Sequence, residues 1–298
     1  MEEKILALYA CGMSQMDISE QIKNLYDVEI SPELVSKISE KILPEVAAWQ
    51  SRPLNSVYPF VFMDAVHYKV KEDHQYVTKA AYVVLGIGMD GCKDILGVWI
   101  GEHESGKFWL SVLNDLKSRG AVDVYLFCVD GLNGFPEAIA AVYPKAQIQR
   151  CIIHQIRSST RYVSYKDIKA LMADLKLVYQ AVTEEEALEN LRRFKEKWGK
   201  TYPSCVKSWE DNWEILSTFY AYPAEIRKII YTTNIIEGLN RQFRQITKNK
   251  PSFTNDDSLR KMLYLASKKI VERWTCRCRN WDIVLNQLNI LFSDRLAS

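Results

Sequence analysis

The spacing of apolar residues changes several times along the chain, and each change marks an element. Through the first 43 residues they recur at helical spacing in short runs, predicting helices over 3–11, 15–25 and 33–42. Gly12 closes the first, Ser14 caps the second, and Ser31-Pro32 opens the third with a cap and a first-turn proline. Three apolar runs then read as strands, over 58–70, 77–89 and 95–100, joined by links short enough to require antiparallel pairing. Helical spacing returns over 106–119, where Phe108, Trp109, Val112, Leu113 and Leu116 share one face. A β-branched and aromatic run over 124–129 predicts a buried strand, followed by a helix over 134–142 and a short fifth strand over 146–149. The pattern is all helical from 165 to about 230, and three further helices are predicted over 232–250, 258–274 and 281–292.

Three antiparallel strands followed by strand, helix, strand is the element order of a ribonuclease H-like fold. The expectation is therefore an α/β protein with a mixed five-stranded sheet, an all-helical insertion, and a small helical segment in front. The expected division is a helix-turn-helix-like DNA-binding segment at 1–45, the first part of the core at 58–164, the insertion at 165–230 and the final core helices at 231–298. Pro44, Arg52-Pro53 and Pro59 mark a linker between the first two. The helix-turn-helix reading competes evenly with a plain helical bundle. Lys37 and Lys41 on the third helix suit phosphate, and Glu33 and Glu40 oppose it.

Three carboxylates stand out against this plan. Asp130 ends the buried strand and precedes Gly131, a placement that builds sites in α/β sheets and also makes ordinary turns. Asp64 lies inside an apolar strand between Met63 and Ala65, where a charge is costly unless paired or cation-bound; a backbone hydrogen bond or Lys69 are the alternatives. Glu237 falls in the first turn of a helix capped by Thr233 or Asn234, where it also fits a capping box. Arg241, Arg244 and Lys248 follow it on one helical face, a stripe that a cap does not need. The first strand should neighbour the fourth, bringing Asp64 and Asp130 together. Carboxylates so close repel unless divalent cations lie between them, and hard oxygen ligands select Mg²⁺ or Mn²⁺.

Charge sharpens this reading. The 298 residues carry a net charge of only +2, yet between 227 and 279 there are thirteen Lys and Arg against four Asp and Glu. A basic third on a nearly neutral chain suggests a polyanion on one face, double-stranded DNA being the candidate; solvated helix faces are the alternative. With 48% hydrophobic and 26% charged residues the composition is that of a globular protein. No apolar run is long enough for a bilayer and no signal peptide is recognisable, so a cytoplasmic protein, nucleoid-associated, with its seven cysteines reduced and no membrane partner is expected.

At the level of whole motifs, FMDAVHYKV, VLGIGMDGCKDILGVWIGEHESGKFW, CVDGLNGFPEAI, QRCIIH, IIYTTNIIEGLNRQFRQITKNK and RNWDIVLNQLNILF resemble the catalytic region of Mutator-type bacterial insertion-sequence transposases, over residues 3–295. The resemblance implies a ribonuclease H-like domain whose Asp-Asp-Glu triad falls on Asp64, Asp130 and Glu237. It implies binding of terminal inverted repeats, Mg²⁺-dependent hydrolysis at the 3′ ends, joining of those ends to target DNA, and work as a multimer, here a homodimer. Arg241, Arg244, Lys248, Lys250 and Lys37 are then the candidate DNA contacts. Trp209 and Trp213 either stack on displaced bases or belong to the core of the insertion. Cys151 and His154 match the family's Cys-x-x-His pair. Zinc would need a second ligand pair, which His67, His74, His103 and the remaining cysteines do not offer, so Cys151 and His154 are expected to support the site at the start of a helix. Two departures are visible: members usually extend further at the N-terminus, and Gly238 stands where Ser is more usual. The first keeps a second reading open, a shortened, non-catalytic DNA-binding regulator that dimerises with a longer enzyme.

Overall fold

The computed structural model describes residues 1–101, 105–131, 134–161, 163–231, 234–248, 250 and 252–295. The chain opens with four helices, α1 (Glu2–Ala10), α2 (Gln15–Tyr26), α3 (Pro32–Glu40) and α4 (Leu43–Ser51). Strands β1 (Val57–Glu72), β2 (Gln75–Ile87) and β3 (Lys93–Gly101) follow, then α5 (Gly106–Ser118), β4 (Asp123–Val129), α6 (Phe135–Val142) and β5 (Gln147–Arg150). The helices α7 (Ile152–Thr160), α8 (Tyr165–Tyr179), α9 (Glu184–Trp198), α10 (Pro203–Asp211), α11 (Trp213–Ser217) and α12 (Ala224–Ile230) come next. The chain ends on α13 (Asn234–Thr247), α14 (Asp256–Val271) and α15 (Trp281–Leu291).

The five strands form one sheet in the order β3-β2-β1-β4-β5. β1, β2 and β3 are antiparallel neighbours, and β4 and β5 add to β1 in parallel. Side chains alternate across this sheet and fill two layers. One face meets α5 and α6, where Trp109, Leu113, Phe135 and Ile139 cover Val61, Met63, Val84 and Phe127. The other face, with Phe60, Phe62, Val66 and Val83, lies under α13 to α15 and is continuous with the core of the insertion.

Two features differ from the sequence reading. The expected linker contains α4, because Pro44 sits in its first turn, where a missing N–H leaves no bond unmade. Pro59 lies inside β1 rather than in a connection. The N-terminal helices also share the main core, since Ile5, Tyr9 and Ile18 join the cluster that holds Phe243 and Leu263. Gly12 makes this approach possible. Its φ of +86° turns the chain between α1 and α2, and a Cβ there would stand 2.0 Å from the carbonyl oxygen of Ile246 on α13. Among the described residues no helix is long and apolar enough to cross a membrane.

Candidate active site

β1 and β4 run parallel in a register whose last pair is Met63 with Val129. The next residue on each strand is a carboxylate, Asp64 and Asp130, so the sheet delivers both at one end. Asp64 is on the face that meets α13. Its Oδ1 accepts from the Ala65 N–H at 2.8 Å and its Oδ2 from Asn240 Nδ2 at 2.7 Å. Asp130 Oδ1 accepts from the Gly131 N–H at 2.6 Å. Glu237 approaches from the first turn of α13, and Arg157 Nη1 of α7 donates to its Oε1 at 3.0 Å.

His154, in the first turn of α7, stands between these groups. Its Nδ1 is 3.4 Å from Asp130 Oδ1, a charge contact not aligned as a hydrogen bond, and its Nε2 is 3.3 Å from Glu237 Oε1. The imidazole pKa is raised to about 9, first by its hydrogen bond with Cys151, then by the charges of Asp130 and Asp64, against the lowering effect of burial. It is therefore a cation at neutral pH and offsets the repulsion among the carboxylates. The Asp64 pKa is raised, chiefly because burial disfavours its charge and secondarily by Asp130. The Ala65 N–H, His154 and Asn240 pull the other way. Cys151 is fully buried at the N-terminus of α7.

The three carboxylates offer oxygen ligands only, the donor set of a hard divalent cation, and two of them, Asp130 and Glu237, lie within 3.4 Å of His154. The donor chemistry thus fits Mg²⁺ or Mn²⁺. Among the described residues no three carboxylate, imidazole or thiol groups yet surround a common point closely enough to form a metal centre.

The remaining sequence candidates divide. Arg241 and Arg244 are exposed on α13, opposite the buried Leu239, Phe243 and Thr247, and Lys248 is exposed in the turn just past the helix. Lys37 is exposed on α3. Lys250 departs from the stripe: its ammonium lies over the Tyr9 ring at 4.3 Å and the Phe253 ring at 5.6 Å, and burial lowers its pKa to about 8. Trp209 is closed to DNA bases, because it is 1% exposed and its Nε1 donates to Ser159 Oγ at 2.7 Å. Trp213 is half-buried, with Nε1 donating to Glu184 Oε1 at 3.0 Å. Lys69 cannot partner Asp64, since odd positions of β1 point to the opposite face. Thr233 and His103 lie outside the described residues.

Two residues of the site were not singled out in the sequence. Asn240 is 0% exposed on α13, one turn after Glu237, and its Oδ1 is buried without a partner. Arg157 follows His154 by three residues on α7, a spacing that puts both on one face.

The family model "Transposase, Mutator family" matches residues 1–276, and the chain belongs to that family of transposases. It is 41% identical over 295 residues to a probable transposase for an ISRM3-like insertion sequence element of Sinorhizobium fredii, covering 99% of this chain and 74% of that protein. A probable insertion-sequence transposase of Corynebacterium diphtheriae is 37% identical over 317 residues, covering 100% and 92%. A solved structure, the Drosophila P element transposase strand transfer complex, aligns over 98% of this chain and 81% of its own with 11% identity and a TM-score of 0.39, a likeness too slight to define the fold.

Proposed function

We propose that the chain is a DNA-cleaving and DNA-joining transposase of an insertion sequence, with a ribonuclease H-like sheet and Asp64, Asp130 and Glu237 as its Asp-Asp-Glu catalytic centre. In this reading it binds the element's terminal inverted repeats as a homodimer, hydrolyses the DNA at the 3′ ends and joins those ends to target DNA. The observation that carries the reading is the placement of three carboxylates at one end of the sheet: Asp64 one residue past the last β1–β4 pair and bonded to Asn240 of α13, and Asp130 and Glu237 within 3.4 Å of the His154 imidazole. A structural cap or turn would need no such meeting.

Each residue then has a part. Asp64, Asp130 and Glu237 are the ligands that would hold Mg²⁺. When bound, that ion activates the attacking water or 3′-hydroxyl and stabilises the leaving oxygen. Asn240 orients Asp64, and His154 and Arg157 hold Glu237 toward the other carboxylates. Arg241 and Arg244 lie on the exposed face of the helix that carries Glu237, and Lys248 just past its end, where they hold the phosphate backbone in register.

The test is nicking of supercoiled plasmid by purified protein in Mn²⁺, wild type beside Asp130→Asn. Nicking that requires both the metal and Asp130 is the expected result. A folded, DNA-binding protein that never nicks, or an Asp130→Asn variant that nicks like wild type, would sink the catalytic assignment.

A further inference from the structure

The β1–β2 hairpin outruns the sheet. β4 pairs with β1 only as far as Met63, and β3 pairs with β2 only as far as Ala80 among the described residues. Beyond those points β1 and β2 continue as a two-stranded ribbon, paired from Tyr68 with Lys79 to Glu72 with Gln75. A two-residue turn, Asp73-His74, closes it with φ of 45° and 65°, values that match the right-handed twist of the flanking strands. On β1 this ribbon starts four residues after Asp64. At about 3.4 Å per residue, Lys69 and Lys71 lie roughly 17 and 24 Å along the strand from that carboxylate.

One face of the ribbon is fixed to the body. Tyr68 packs edge-on against Phe253 at 5.8 Å, and the backbone of Phe253 exchanges hydrogen bonds with Lys69 and Lys71 at 2.9 and 2.8 Å. Lys79 is buried, with Glu72 at 3.2 Å and Asp256 at 3.1 Å. Burial alone would lower its pKa, and the two carboxylates more than offset this. The ribbon is thus braced along its inner side.

The opposite face is open. It presents Lys69 beside Thr78 and Lys71 beside Tyr76, all exposed, with Tyr76 63% exposed. His67 lies on the same face, and none of these five positions is acidic. The lysines are two residues apart, about 7 Å, roughly the step between successive phosphates along one DNA strand. A ribbon of two strands is also the β element that a DNA major groove admits. Solvation alone does not explain an exposed tyrosine paired with a lysine on a braced arm.

We infer that the outer face of the β1–β2 ribbon, through Lys69, Lys71 and Tyr76, binds the duplex DNA that runs outward from the carboxylate site. This rests on the proposed transposase function and adds to it a DNA surface separate from the α13 stripe. The phosphate backbone lies along the two lysines, and the Tyr76 ring packs on the sugars or the groove wall.

The experiment is the salt dependence of duplex binding by the full chain, comparing wild type, Lys69→Ala/Lys71→Ala, Tyr76→Ala and a control, Lys166→Ala/Lys169→Ala, which removes the same charge from exposed positions of α8. The ribbon double variant is expected to shallow the slope of log K against log salt by about two units. It should weaken binding roughly tenfold or more at low salt, with its Tm kept. Tyr76→Ala should weaken binding without changing the slope, and the control should match wild type. A wild-type slope in the ribbon double variant, or an equal loss in the control, overturns the inference while leaving the transposase reading intact. Failure of the wild type itself to bind duplex DNA refutes that reading and this inference with it.

Discussion

Asp64 is legible because a charged residue within an apolar strand breaks a pattern that its neighbours keep, and burial makes the break expensive. Asn240 is more deeply buried and was not legible. An amide on a helix that also carries Arg241 and Gln242 breaks no pattern, and its reason lies 176 positions away in the chain, at Asp64. Trp209 shows the converse: an aromatic at helical spacing in a helical block is consistent with core or with stacking until its burial is known. The contact between Asn240 and Asp64 has a measurable consequence. A hydrogen bond to a charged group is worth about 1.5–3 kcal/mol, and among the described residues the half-buried carboxylate has one other hydrogen-bond donor, the Ala65 N–H. Asn240→Ala is expected to slow Mn²⁺-dependent nicking by roughly tenfold to a hundredfold at saturating DNA, with DNA affinity unchanged. The nicking assay beside a binding titration checks it, and an unaltered nicking rate would mean that Asp64 holds its position without the amide.

The strand order could be anticipated because antiparallel links are short and the helical crossover between β4 and β5 is long. α4 could not, since Pro44 reads equally as a linker residue and as a first-turn helix residue. Within α13 the sequence pattern is nearly sufficient: Ile236, Leu239, Phe243 and Thr247 turn inward while Arg241 and Arg244 turn out. Gly238 is the weak point of this helix. It has no positive φ, and a Cβ built there meets nothing within 4 Å. Its cost is therefore conformational freedom in the unfolded chain with no steric benefit in return. Gly238→Ala should stabilise the protein by about 0.5–1 kcal/mol, read as a higher urea midpoint at unchanged slope. A lower midpoint would show that the helix needs the glycine for a reason its surroundings do not display.

For the whole molecule, the charge asymmetry of the sequence pointed to a basic surface but could not divide its members by role. Arg241, Arg244 and Lys248 face solvent, whereas Lys250 and Lys261 turn inward and join the N-terminal helices to the core, Lys261 Nζ reaching Ser39 Oγ at 2.9 Å. A cation count cannot separate these, because burial is set by elements distant in sequence. Lys250 shows the energetic difference. The Tyr9 and Phe253 rings attract its ammonium, yet burial, with a smaller contribution from Lys261, outweighs them and lowers the pKa from 10.5 to about 8. Between about pH 8 and 10.5 the unfolded chain therefore holds a proton that the folded one has released, so this group favours folding as pH rises and opposes it most below pH 8. Lys250→Met keeps the stem and places sulfur near both rings without the charge. It should raise Tm at pH 7, and its advantage over wild type should shrink steadily toward pH 10. The comparison cancels the buried thiols and tyrosines that titrate in the same range in both proteins. Unfolding at both pH values checks this: an advantage that stays constant would place the ammonium in water, and a loss at pH 7 would mean that the aromatic cage holds the cation more strongly than burial opposes it.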